Sequence, residues 1–358
     1  MRKALIFCIL IPLVITTCNP RKPSASTATT TSPASTITSH PPANTPLPNT
    51  DTPLPDPTIT ATIQPTEMPL PTKTPTLQSI PLITIQGEIL FSVYPDGDIT
   101  IMNADGSDRR TLLDRPTDFE INLDRHANWL PDGTGISYTV DDFGQAEIWL
   151  MNSDGSNQRF LIGDVATNSS HAWSPDGRLL IYVSTQNKIM LYNLANQSIT
   201  PLTEGHFRSE SDPDCSPDGS RITFSATEAG NQDIYFANLD GSDLTRITNH
   251  PETDQNPDWS PDGSKIVFSA TRDGDHVNDI YIIDLGQGTE AEGNVPVQLT
   301  FGDTLDVDPD WSPDGLMVVF AAHTFGASHA TLFIVTAHGD QYSQLTEENT
   351  YFSPQWHP

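Results

Sequence analysis

Trp259-Ser260-Pro261-Asp262-Gly263 decides the reading of this chain, because the phrase returns along it with small changes. It recurs as Trp129-Leu130-Pro131-Asp132-Gly133, Trp173-Ser174-Pro175-Asp176-Gly177, Cys215-Ser216-Pro217-Asp218-Gly219 and Trp311-Ser312-Pro313-Asp314-Gly315. A truncated copy, Trp356-His357-Pro358, stands last. The Trp or Cys positions lie 44, 42, 44, 52 and 45 residues apart. A period in the forties, with short β-branched runs between Asp-Gly turns, signals a repeated four-stranded unit.

Four pieces fill each repeat. Piece A ends in the Trp, and piece B follows the turn, as in Lys265-Ile266-Val267-Phe268. Piece C is Asp279-Ile280-Tyr281-Ile282 and piece D is Val297-Gln298-Leu299-Thr300. An aromatic stands nine residues after each key position, at Tyr138, Tyr182, Phe224, Phe268 and Phe320. Before the first Trp the chain offers pieces B, C and D without an A: Ile89-Leu90-Phe91, Ile99-Thr100-Ile101 and Thr111-Leu112-Leu113. After the last full repeat comes an A, residues 352–356, with nothing behind it. Five complete units and two complementary fragments make six. The expected fold is therefore all-β, a six-bladed β-propeller over residues 85–358. Pairing of the N- and C-terminal strands would close it and remove the edges that an open array exposes. In that ring Asp176, Asp218, Asp262 and Asp314 tighten the A-to-B turns, and the Trp series packs between blades. Cys215, in a Trp position, is expected to be a buried apolar substitute.

The Trp-Ser-Pro-Asp-Gly phrase, the Ile-Tyr strand and the Leu-Thr strand resemble the WD-like repeats of TolB-type six-bladed propellers. That resemblance implies a channel mouth that accepts a partner protein. TolB proteins also carry an α/β domain before the propeller, where this chain has a linker. Propeller-capped peptidases have similar blades with a Gly-x-Ser-x-Gly nucleophile turn, which this sequence lacks.

The N-terminal quarter has another character. Arg2 and Lys3 precede an apolar run at residues 4–15. It is too short to span a membrane, which needs about 20 residues, and has the form of a signal peptide, residues 1–17. Ile15-Thr16-Thr17-Cys18 resembles the lipobox of bacterial lipoproteins, with Thr17 where Gly, Ala or Ser is usual. Cys18 is thus the expected lipidation site. Residues 18–84 form a Pro/Thr-rich linker holding fifteen of the chain's 31 prolines. With so little apolar surface to bury it is expected to be disordered and extended, at about 3.1 Å per residue. The expected location is extracytoplasmic, at the cell surface or in the periplasm, with membrane contact through the lipid anchor only.

The formal net charge is −29, and the linker's three bases and three acids cancel, so the acidic excess falls on the repeats. Such a surface repels nucleic acid and favours a basic partner segment. Piece A of three successive repeats carries Glu210, Asp212 and Asp214, then Asp254, Asn256 and Asp258, then Asp306, Asp308 and Asp310. The strand period of two puts each trio on one face, toward the channel. Asp124 stands at the matching place before Trp129. The same rim collects His126, His171, His206, His250, His276, His323 and His329, with Arg125 and Arg208. The expected site is a partner-binding rim of Asp124, Arg125, His126, His171, Arg208, Glu210, Asp254 and Asp306. It would engage a protein or cell-envelope ligand, without cofactor or metal, on a monomer. The alternative is a metal-assisted polysaccharide lyase or hydrolase, since histidines beside carboxylates can ligate Zn²⁺ or Mn²⁺. Their scatter over different repeats gives no ligand spacing, and no catalytic residue is assigned. Asp273-Gly274-Asp275-His276 lacks the full ligand sequence of a calcium loop. The insertion at residues 286–294 explains the 52-residue spacing and reads as a tolerated excursion.

Overall fold

The Pro-Asp-Gly phrase builds the same turn wherever it stands. In the computed structural model Ser260 Oγ donates to Asp262 Oδ1 (2.7 Å), the Ser264 N–H donates to the same oxygen (3.0 Å), and Gly263 adopts φ +70°. Only glycine takes that left-handed conformation without strain. Asp176, Asp218 and Asp314 repeat the arrangement with their own serines. The structure describes residues 85–357 apart from 95–96, 115–125, 143–144, 168, 204, 229, 273–276, 325–329 and 348–349. The leader, Cys18, the Pro/Thr-rich linker, Asp124, Arg125, His276 and His329 therefore lie outside the described residues.

Among the described residues these turns punctuate 24 strands. They are β1 (Glu88–Tyr94), β2 (Asp98–Asn103), β3 (Arg110–Leu113), β4 (Ala127–Trp129), β5 (Gly135–Asp142), β6 (Gln145–Asn152), β7 (Arg159–Val165), β8 (His171–Trp173), β9 (Leu179–Val183), β10 (Ile189–Asn193), β11 (Ile199–Pro201) and β12 (Ser209–Cys215). The series continues through β13 (Arg221–Thr227), β14 (Gln232–Asn238), β15 (Thr245–Arg246), β16 (Asp254–Trp259), β17 (Lys265–Ala270), β18 (Asp279–Asp284), β19 (Val297–Gln298), β20 (Thr304–Trp311), β21 (Met317–Thr324), β22 (Ala330–Thr336), β23 (Tyr342–Gln344) and β24 (Thr350–Trp356).

They form six four-stranded antiparallel sheets. Five are sequential meanders, and the sixth has the order β24-β1-β2-β3. The C-terminal strand thus completes the N-terminal blade, with Ile89 opposite Trp356 and the His357 N–H on the Glu88 carbonyl (2.8 Å). The closure expected from the unmatched fragments is present.

Core packing follows the repeat. Trp259 joins Ile234 and Ile247 of one blade to Ile266 and Phe268 of the next, and Trp311 does the same with Val267, Ile280 and Val318. Cys215 occupies a Trp place against Ile181, Val183 and Ile222. Burial pushes its thiol up to about 12, so it stays protonated and unreactive.

The insertion is more than an excursion. Two single-turn 3-10 helices, Leu285–Gln287 and Glu290–Glu292, lay it on the preceding blade, where the Glu290 N–H donates to the Ile247 carbonyl (2.9 Å).

Candidate functional site

The inner strands do not alternate as their sequence pattern predicts. Each of β12, β16 and β20 has a bulge in its pairing with the next strand, and β24 has one against β1. The bulged residues are Asp212, Asn256, Asp308 and Ser353, at φ 49°, 51°, 52° and 45°. A proline follows each of them: Pro213, Pro257, Pro309 and Pro354. Proline cannot donate to a ladder, so inside a sheet it is tolerated at edges and bulges. The extra residue separates the acids of each trio into different environments.

The bulge position, three residues before the Trp or Cys, is where the six blades converge. His126, Ser170, Asp212, Asn256, Asp308 and Ser353 line one cavity of about 380 Å³ on the ring axis. It extends past the next acids to the turn prolines Pro131, Pro175 and Pro217. Ser353 Oγ lies 3.0 Å from His126 Nδ1 and 3.2 Å from Asp308 Oδ2, linking the base to the acid. Burial raises the carboxyls of Asp212 and Asp308 above the usual range, with His126 acting the other way on Asp212.

One residue before the key position, the acids fasten blades together. Asp214 Oδ2 accepts from the Trp259 N–H (2.9 Å), Asp258 Oδ2 from Trp311 (3.0 Å) and Asp310 Oδ2 from Trp356 (2.7 Å). Burial pushes Asp214 up to about 6. It holds Asp258 and Asp310 well above the usual range, with the charge of neighbouring acids adding to the effect. Each of these carboxyls holds its proton to a higher pH than an exposed acid does, which lessens the charge they bring to the channel. In the first two full repeats the fastening is neutral: Asn128 donates to the His171 carbonyl, and Trp173 Nε1 donates to Ser137 Oγ (2.8 Å).

Five residues before the key position, Glu210, Asp254 and Asp306 are 1%, 0% and 3% exposed. They do not face the channel mouth. Glu210 accepts from the Ile189 N–H (2.8 Å) and the Thr203 hydroxyl, with Lys188 Nζ at 3.3 Å. Asp254 is clamped by Arg272 through Nε (3.1 Å) and Nη2 (2.6 Å). Asp306 has an Oδ1 without a hydrogen-bond partner among the described residues.

The histidines also divide. His126 and His171 reach the channel wall, where His171 is 1% exposed, bonded to Ser137 Oγ (2.7 Å), and pushed down to about 3 by burial and then by His126. His323 lies near Asp308 and packs on Phe352. His206 is exposed beside Phe207, and His250 Nδ1 accepts from the Glu252 N–H in its own loop. Arg208 is exposed just before β12. Among the described residues no three His, Cys, Asp or Glu side chains are arranged to hold a metal ion. The six-position convergence is legible in the sequence three residues before each Trp or Cys; following the acids alone misses Ser170 and Ser353.

Comparison with known proteins agrees with this architecture. Residues 207–358 match the family described as the TolB beta propeller domain. The Tol-Pal system protein TolB of Anaeromyxobacter dehalogenans is 30% identical over 175 residues, covering 47% of this chain and 39% of the relative. An uncharacterized protein of Agrobacterium fabrum is 31% identical over 168 residues, covering 43% and 56%. This chain thus spans about two fifths of the length of the TolB relatives it matches. Among solved structures, TolB from Acinetobacter baumannii superposes with TM-score 0.64 at 21% identity, covering 76% of this chain and 67% of that one. The described residues form a six-bladed β-propeller similar to those of TolB proteins.

Proposed function

We propose that the chain is an extracytoplasmic binding module, lipid-anchored at Cys18 and spaced from the membrane by residues 18–84, which captures a protein partner at the propeller channel. The observation that carries this reading is the convergence of six blades on one polar cavity containing Asp212, Asp308 and His126. A basic segment of the partner would enter it, because a confined acidic cavity focuses cations. Asp124, Arg125 and Arg208 would add contacts to the partner. Glu210 and Asp254 would hold the loop bases in place rather than touch the partner. The resemblance to TolB propellers supports a protein ligand. No observation favours the metal-assisted lyase or hydrolase.

The test is partner capture from an envelope fraction by the full-length chain and by its Asp212→Asn/Asp308→Asn double variant. We expect the same partner to be retained by the parent and depleted by the variant, with equal thermal melts. Equal capture by both proteins would overturn the channel as the recognition site.

A further inference from the structure

The repeats allow one compartment to be compared across three successive blades. It lies between the stacked aromatic pair of strands B and C and the buried acid at the start of strand A. In the β12–β15 blade the pair is Phe224 and Tyr235, and Phe207 from the loop before β12 fills the space, its ring 5.8 and 4.6 Å from theirs. In the β16–β19 blade the pair is Phe268 and Tyr281, and the filler is the guanidinium of Arg272. Arg272 lies 5.2 and 5.4 Å from the two ring centroids, clamps Asp254, and is 9% exposed.

The β20–β23 blade repeats the walls without the filler. Phe320 and Phe333 stack at 5.8 Å, and Asp306 stands where Asp254 does. The position of Arg272, four residues after the strand B aromatic, is held by Thr324, which is exposed. What remains is a pocket of about 330 Å³ walled by Phe301, Phe320, Phe333, Tyr342 and Leu299, with Asp306 in its lining. That volume is at the lower end for ligand sites. Asp306 is 97% buried by residue, and its Oδ1 has no partner among the described residues. Phe301, at 47% exposure, is one of the few large apolar side chains left open to solvent. A buried carboxylate oxygen without a donor is costly, and in the neighbouring blade the same oxygen is satisfied by a guanidinium on the same aromatic walls.

We infer that this pocket receives an arginine side chain from a protein partner, seated over the Phe320–Phe333 pair with its guanidinium on Asp306. The chain itself shows the recognition chemistry: cation–π contact plus a charge-assisted fork onto a carboxylate. Arginine suits the site better than lysine, because a planar donor pair matches carboxylate geometry. The pocket shares no lining residue with the channel cavity. It therefore stands or falls separately from the channel reading.

The test uses the full chain with Nα-acetyl-arginine amide, its neutral isostere Nα-acetyl-citrulline amide, and free L-arginine, read by ligand-observed NMR and calorimetry. The blocked arginine should bind, and the citrulline analogue should bind on the order of 10- to 100-fold more weakly, the value of a hydrogen bond to a charged group. Asp306→Asn should weaken binding to a similar degree. Thr324→Arg should supply the missing guanidinium in cis and abolish binding while keeping or raising the melting temperature. Asp212→Asn/Asp308→Asn should bind the probe normally. Equal affinity for the citrulline analogue, or unchanged binding to both Asp306→Asn and Thr324→Arg, would overturn the assignment. Tighter binding of free L-arginine than of the blocked form would overturn the protein-borne source.

Discussion

Two sets of carboxylates sit on the same inner strands and are neutralised by different means. The inner set, Asp214, Asp258 and Asp310, accepts backbone N–H groups of the next blade and keeps protons that an exposed acid would lose. The outer set, Glu210, Asp254 and Asp306, depends on whatever donor its own compartment supplies. Backbone donors come with the fold, so the inner fastening repeats unchanged across three successive blade junctions. Side-chain cations do not come with the fold, so the outer set varies from fully clamped to open. Acids counted in the sequence therefore overstate the charge at the rim. Desolvation decides which carboxyls ionise.

The sharpest way to break this comparison is Arg272→Ala, which strips the counter-charge from Asp254, a residue with no exposure. Removing one partner of a buried pair costs about 3–5 kcal/mol. Urea unfolding at pH 7 should show a loss of that size, and a loss under about 1 kcal/mol, the worth of a surface pair, would mean that Asp254 needs no cation.

The open member of the outer set gives the next effect. Asp306 is raised to about 7 by burial, with the nearby Thr300 and Thr304 side chains acting the other way. The folded state then binds a proton that the unfolded chain releases near pH 4, so this group's contribution to stability falls as pH rises from about 4 to about 7. Asp306→Asn should flatten that slope and be the more stable protein at pH 8. At about 1.4 kcal/mol per pH unit, reduced by local relaxation, the gain is roughly 2 kcal/mol. Denaturation at pH 4.5 and 8 measures it; a parallel decline in parent and variant would remove Asp306 as its source. Asp218 and Asp262, held at about 2 by their turn serines and backbone N–H groups, lose their contribution only below pH 4, outside this window.

The smallest effect belongs to the inner set. Asp258→Ala leaves the Trp311 N–H without its acceptor but also removes a carboxyl crowded by Asp214 and Asp310. The two changes oppose, for a net loss of about 1 kcal/mol. Asp258→Asn, which keeps an acceptor oxygen without the crowding charge, should match or exceed the parent in urea midpoint at pH 8. A larger loss with Asn than with Ala would show that the charge itself fastens the blades.

Much of this was legible before any coordinates. The number of blades, the junction of Ile89 with Trp356, the Pro-Asp-Gly turns and the interior place of Cys215 all follow from periodicity. The placement of Glu210, Asp254 and Asp306 did not follow, because strict alternation assumes an unbroken ladder and four inner strands are bulged at Asp212, Asn256, Asp308 and Ser353. The prolines after those residues carried the signal. Ala127 and His171 occupy that position in the first two full repeats, and their inner strands, β4 and β8, are three residues long and regularly paired.

By itself the sequence determined the repeating unit, its count and its closure, because hydrophobic period and turn chemistry are local properties that each copy restates. Tertiary structure alone decided which acids meet solvent, which meet a backbone donor and which meet an arginine. Those outcomes depend on side chains far apart in the chain, such as Asp254 with Arg272, Asp310 with Trp356, and Asp306 with no partner for its Oδ1. A carboxylate's charge is set by what lies within a few ångströms of it, not by its neighbours along the chain.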